Sequence, residues 1–184
     1  FVRASVAECM REGDELGTGV VGPQWVRVLI ELLSSKYDTI CSKAEYALER
    51  VVRPDCDLAL PVIDGLVDRL AGPAGPARPR AARVLEEVIR VCPKQVTSQT
   101  VDTLVELVRD PDPDVCSRAA YTLERAAKAR PDLAGQLATG IEGLLADPSD
   151  TVRVKAAKVL EEVVKASPKV VTSQMVETVA ELFR

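Results

Sequence analysis

The sequence predicts an all-α fold, a right-handed solenoid of antiparallel helix pairs stacked in line. Three observations predict it. The first is repetition. Residues 81–109 (AARVLEEVIRVCPKQVTSQTVDTLVELVR) and 156–184 (AAKVLEEVVKASPKVVTSQMVETVAELFR) stand 75 residues apart and agree at 18 of 29 positions. The second is the period of the apolar residues. Val101, Leu104, Val105 and Val108 fall at i, i+3, i+4 and i+7, which places them on one helix face. The third is composition: aromatic residues are only 3% of the chain against 47% hydrophobic overall. The core must then be Leu, Val, Ile and Ala, which suits close-packed helices better than a β-sandwich.

The 75-residue register runs the length of the chain without gaps. It aligns Ser42–Arg50 (SKAEYALER) with Ser117–Arg125 (SRAAYTLER), and Gln24, Val26, Leu29, Glu31 and Leu32 with Gln99, Val101, Leu104, Glu106 and Leu107. Each unit divides again, because Ala44, Ala81, Ala119 and Ala156 lie 37, 38 and 37 residues apart. The elementary repeat is therefore 37–38 residues long, in two alternating versions. Such a repeat cannot hide its apolar stripe alone and does so by stacking on its neighbours.

The helices are expected as follows: one near 2–12, then pairs near 23–34 with 38–53, 58–71 with 76–91, 98–109 with 113–129 and 133–146 with 151–166, and a last near 172–184. Val115, Ala119, Ala120, Leu123 and Ala127 form the stripe of one second helix. Before it, Asp112 is placed to cap the helix and Pro113 to fill its first turn, where no amide hydrogen is needed. Asp147-Pro148-Ser149-Asp150 is expected to do the same one repeat later. The whole chain, 1–184, reads as one solenoid domain: a half repeat at 1–13, repeats at about 22–53, 57–92, 97–130 and 131–167, and a half repeat at 171–184. That phase suggests a segment of a longer array.

Composition excludes much chemistry. The chain has no histidine, which removes the commonest general base, metal ligand and pH switch. Its five cysteines (Cys9, Cys41, Cys56, Cys92, Cys116) include no CxxC pair. They read as buried, reduced thiols of a cytoplasmic compartment. Cys41 and Cys116, two repeats apart, are too distant to share a metal. A net charge of −4 and a pI near 5.1 give no basic field for nucleic acid. No apolar run reaches the length of a membrane span, and no signal peptide is visible. The segment Gly17-Thr18-Gly19-Val20-Val21-Gly22 spells G-x-G-x-x-G. A dinucleotide site needs a strand before that motif, whereas here it aligns with Cys92–Thr97, a connection between repeats. It reads as a lengthened link, and no cofactor, no metal and no enzyme activity are expected.

With these residues in view, the sequence resembles the HEAT-repeat family, whose second helix carries roughly D-P-x-x-x-V-R-x-x-A-A-x-x-L. The pattern appears as Asp147-Pro148, Val152-Arg153, Ala156-Ala157 and Leu160, and as Asp110-Pro111, Val115, Ala119-Ala120 and Leu123. The resemblance implies a scaffold or adaptor that holds partners in a groove lined by second helices. It also implies a ladder in which the signature Arg pairs with an Asp of the adjacent turn. The signature Arg stands at Arg3, Arg78 and Arg153, but Cys41 and Cys116 replace it in alternate repeats, so the ladder should break at every second step. The turn Ala71–Pro76 lacks the Asp-Pro opening.

Columns of equivalent residues run across the second helices. Glu49, Glu86, Glu124 and Glu161 precede Arg53, Arg90, Lys128 and Lys165 by four residues, the favourable order for ion pairs within a helix. A second column, Glu12, Arg50, Glu87, Arg125 and Glu162, alternates in sign. Both suit a structural role in fixing register. A third row is different: Tyr46, Arg83, Tyr121 and Lys158, with Arg50 and Arg125 one turn beyond the tyrosines. Tyr and Arg are enriched at interface hot spots. These six residues either bind a partner or, in the plainer reading, are half-buried tyrosines and their neighbours packing over their own helices. A non-catalytic scaffold for a protein or peptide partner is the first reading, with a concave second-helix surface. The alternative is a nucleic-acid-binding module that uses the basic column Arg53, Arg90, Lys128 and Lys165. A tubulin-binding module ranks lower, since Trp25 opens a first helix rather than a turn.

Overall fold

The structure, a computed structural model, describes residues 23–52, 58–73, 75–170 and 172–181. The expected helix at 2–12, the Gly17–Gly22 link, and Arg3, Cys9, Glu12, Arg53 and Cys56 lie outside the described residues.

Nine α-helices are seen among the described residues: α1 (Pro23–Leu32), α2 (Asp38–Val52), α3 (Ala59–Ala71), α4 (Ala77–Val91), α5 (Ser98–Leu107), α6 (Pro113–Ala129), α7 (Ala134–Leu145), α8 (Asp150–Ala166) and α9 (Ser173–Glu181). Each begins and ends within a few residues of its expected position. Short 3₁₀ turns at Pro93–Gln95, Pro131–Leu133 and Pro168–Val170 join successive repeats; the sequence reading did not foresee them. No described helix is long and apolar enough to cross a membrane.

The helices form two layers. First helices α1, α3, α5, α7 and α9 touch in succession, as do second helices α2, α4, α6 and α8, and α1, α3, α5 and α7 each pack on the second helix that follows. The architecture is thus all-α, stacked antiparallel pairs. One continuous apolar cluster runs between the layers. Ala44, Ala81, Ala119 and Ala156 are all buried, and so are Leu48, Leu85 and Leu123 one turn beyond. Each such leucine contributes about 1.5–3 kcal/mol of burial. The small alanine leaves room for the neighbouring helix to approach.

The register also sets how closely first helices approach. Gly65 and Gly140 are equivalent, as are Ile30 and Val105 across from them. A Cβ built at Gly65 would lie 2.5 Å from Ile30 Cδ1, and one at Gly140 would lie 2.8 Å from Val105 Cγ2 and 3.2 Å from Cγ1. Glycine inside a helix costs about 0.5–1 kcal/mol relative to alanine. Here that cost is offset by the close packing of the layer.

The turns are held by side chains. Asp112 Oδ1 accepts from Asp114 N (2.9 Å) and Val115 N (3.3 Å), as expected of a cap. The matching Ser149 makes no side-chain cap bond. Instead Asp147 Oδ1 accepts from Ser149 N at 3.0 Å, as Asp110 Oδ1 does from Asp112 N at 2.9 Å. The glycine turn after α3 closes differently: Gly72 is extended at the helix end, and Arg78 N donates to Gly75 O at 3.0 Å.

The ladder corrects one expectation. Arg78 pairs with Asp110 of the next turn at 2.6 Å, both largely buried. Cys116 replaces the next arginine, yet Asp147 is not left alone, because Arg109 at the end of the first helix reaches it at 2.7 Å. The substituted cysteines have work of their own. Cys41 Sγ donates to Leu33 O at 3.5 Å and Cys116 Sγ to Val108 O at 2.8 Å, just as Arg78 Nε donates to Leu70 O at 3.2 Å. In these repeats the same position satisfies a carbonyl left open at the end of the first helix. Arg153 reaches past the helix end instead and donates to the turn carbonyl of Asp147 at 2.7 Å.

Cys41 and Cys116 are free and buried, as expected. Cys92 is buried but disulfide-bonded, which corrects the expectation that every thiol is reduced. A spacing rule within the sequence gives no access to a pairing between residues that only the fold brings together.

Two measurements test this packing. Gly140→Ala forces a methyl against Val105, whose branched side chain has no flexible end. At Gly65 the obstacle is the mobile tip of Ile30. Urea unfolding should therefore find Gly140→Ala less stable than Gly65→Ala by about 1–2 kcal/mol. The Ser149 amide and then Arg109 hold the Asp147 carboxyl below its ordinary pKa. A lowered folded-state pKa gives stability that is present above the unfolded value and is lost as pH falls through the folded one. Asp147→Asn should therefore lower stability at neutral pH and flatten its decline below about pH 4.

Candidate interaction surface on the second helices

The row proposed from sequence is set on four successive second helices: Tyr46 on α2, Arg83 on α4, Tyr121 on α6 and Lys158 on α8. Tyr46 and Tyr121 are 56% and 55% exposed, and Arg83 and Lys158 are exposed as well. The tyrosines are thus more than half open to solvent rather than packed down over their own helices. Arg50 lies over the Tyr46 ring, 5.7 Å from its centroid, and donates to its hydroxyl at 3.2 Å. Such an exposed contact is worth about 0.5–1 kcal/mol. Arg125, one turn beyond Tyr121, is exposed.

Beneath this row lies a residue the sequence reading passed over. Glu45 is 1% exposed. Its Oε1 accepts from Arg80 Nη1 at 3.0 Å, and Oε2 faces the Arg83 guanidinium. Arg80 also pairs with Asp38. Arg83 is therefore engaged across the α2–α4 step, and only part of it is left for a partner. The 75-residue register could have flagged Glu45, since it is a carboxylate among alanines: Ala82, Ala120 and Ala157 hold the equivalent positions.

At the α6–α8 step the equivalents of Arg80 and Arg83 are Lys155 and Lys158. The equivalents of Glu45 and Asp38 are Ala120 and Pro113. Both cations remain and both anions are gone. The Lys155 ammonium donates instead to neutral partners, Cys116 Sγ at 2.9 Å and Ser117 Oγ at 3.1 Å. Ser117, Ala120, Tyr121, Glu124, Lys155 and Lys158 line a shallow recess here. Burial pushes the Glu124 carboxyl above its ordinary pKa, opposed by Lys128 and Lys158. At the intervening α4–α6 step Ala82 holds the Glu45 position, and Arg118, the equivalent of Arg80, turns instead to Glu86, to which its Nη1 donates at 2.7 Å.

The expected ion pairs four residues apart are mostly replaced. Lys165 pairs with Glu161 as foreseen, at 2.6 Å, and also with Glu162 at 3.0 Å. Lys128 reaches across to Glu162 on the next helix at 3.2 Å, Arg90 takes Glu87, and Glu86 takes Arg118. Lateral partners from the neighbouring repeat compete with those along the helix, and the long side chains reach both. Lys165 and Lys128 together hold Glu162 below its ordinary pKa.

No family model matches the chain, and no curated protein is similar to it. Among solved structures 42 chains are similar. One is an engineered protein from the Northeast Structural Genomics Consortium, 23% identical with a TM-score of 0.48 over 77% of this chain. The chain spans 63% of that protein's length. A likeness of this size carries no argument about what the chain does.

Glu45 anchors two arginines, so Glu45→Ala should cost about 2 kcal/mol in chemical unfolding, less than a fully buried pair because Arg83 is half exposed. A loss under about 0.5 kcal/mol would mean that the cluster does not hold the step together.

Proposed function

We propose that the chain is a HEAT-type scaffold, non-catalytic, that binds a protein partner through the outer face of its second helices. The observation that carries this reading is the pair of exposed tyrosines. Tyr46 and Tyr121 recur 75 residues apart on alternate second helices, each followed by an arginine one turn on. Exposed rings beside long cations, repeated on one layer, supply large contact area at low entropy cost. The repeated D-P, V-R and A-A-x-x-L residues support the HEAT assignment.

The nucleic-acid reading is weaker. Of its basic column, Arg90, Lys128 and Lys165 are each bound to a glutamate. Phosphate binding would have to displace those carboxylates.

The double variant Tyr46→Ala, Tyr121→Ala should keep the helicity and melting temperature of the parent, because neither ring is core. Quantitative affinity capture should find its partner recovery reduced about tenfold or more. Glu106→Ala on first helix α5 should leave recovery unchanged. Equal recovery by the tyrosine variant refutes the proposal.

A further inference from the structure

We propose that the recess between α6 and α8 takes a carboxylate side chain from an acidic protein segment, in the place that Glu45 fills two repeats earlier. This rests on the reading that the second-helix face meets a protein, and it names the chemistry of the contact.

The argument comes from the protein's comparison with itself. At the α2–α4 step two arginines close on a carboxylate supplied from within, and the site is complete. At the α6–α8 step two lysines hold the equivalent positions, while Ala120 gives up the volume of the glutamate and Pro113 the second anion. Among the described residues, no carboxylate lies within ion-pairing distance of Lys155 or Lys158. Lys155 turns to a thiol and a hydroxyl, which leave its charge unbalanced. Glu124 also lines the recess and interacts electrostatically with Lys158, but it holds the position of Glu86 rather than that of Glu45, and the space over Ala120 stays open. Tyr121, more than half exposed at the same recess, offers a hydroxyl donor and an apolar ring to the residues flanking the incoming carboxylate. Two ammonium groups are suited to a carboxylate as point charges, without the fixed fork of arginine.

The first test restores the internal anion. Ala120→Glu should melt about 2–4 °C above Ala120→Gln at pH 7, the glutamine controlling for size. Equal or lower melting overturns the proposal. The second test reads the site directly, with isotope-labelled protein titrated with tetraglutamate peptide. The amides of Ser117, Tyr121 and Lys158 should shift, tetraglutamine should shift none of them, and binding should weaken about tenfold in Lys155→Gln, Lys158→Gln. Identical shifts in that variant, or stronger shifts with a short DNA duplex than with tetraglutamate, overturn it as well. If the tyrosine variant loses its partner while tetraglutamate moves nothing, the carboxylate site falls and the scaffold stands. If tetraglutamate binds and the tyrosine variant captures normally, the scaffold contact falls and the site stands.

Discussion

Everything in this protein depends on burying one apolar stripe per helix against the next repeat. A helix of 9–17 residues is marginal in water alone, and the inner pairs, α3–α4 and α5–α6, each hide one side on the pair before and one on the pair after. The buried column Ala44, Ala81, Ala119 and Ala156 lies on the second helices at every step. Gly65 and Gly140 are points of close approach in the first layer, where even a methyl meets the neighbouring helix. Small residues govern the approach, and the buried leucines one turn beyond, Leu48, Leu85 and Leu123, add apolar area to the shared core.

That dependence explains what the sequence made legible. Helix positions follow from a local period and from local signals such as Asp112 and Pro113, so they were recovered to within a few residues. The signal is strengthened by repetition, since a chance stripe would not return 75 residues later. Side-chain partners are another matter. Lys128 has Glu124 one turn back on its own helix and Glu162 across the layer, and it takes the second. The choice depends on helix rotation and spacing, quantities that no one-dimensional pattern contains. The disulfide at Cys92 and the Arg109–Asp147 pair were missed for the same reason. Glu45 was a different kind of miss. Its burial between arginines was hidden, but its oddness within the register was in plain sight.

The two versions of the repeat differ chiefly in how they treat polar ends. Where the signature arginine is present, it satisfies backbone carbonyls and, at Arg78, an aspartate as well. Where cysteine takes its place, the thiol serves the carbonyl and the aspartate is served from elsewhere, as Asp147 is by Arg109. The cost of losing a long cation is therefore met locally, within one turn and its neighbour. A small buried thiol also leaves space above it, and at Cys116 that space is where Lys155 settles.

This locality is what lets an array of near-identical units carry a site at one step only. In a stacked repeat each interface is an almost independent term, so a charge left unbalanced at the α6–α8 step weakens that step and no other. Removing a glutamate equivalent to Glu45 in a globular core would strand two cations among many neighbours and threaten the whole fold. Here the shorter, more strongly hydrated lysines stand where arginines stand two repeats before, and the recess opens to solvent, so the imbalance is tolerated in the free state. A partner that supplies the missing anion then gains the pairing energy the protein has left unused. In such a chain the interaction surface is best sought where the repeat departs from itself.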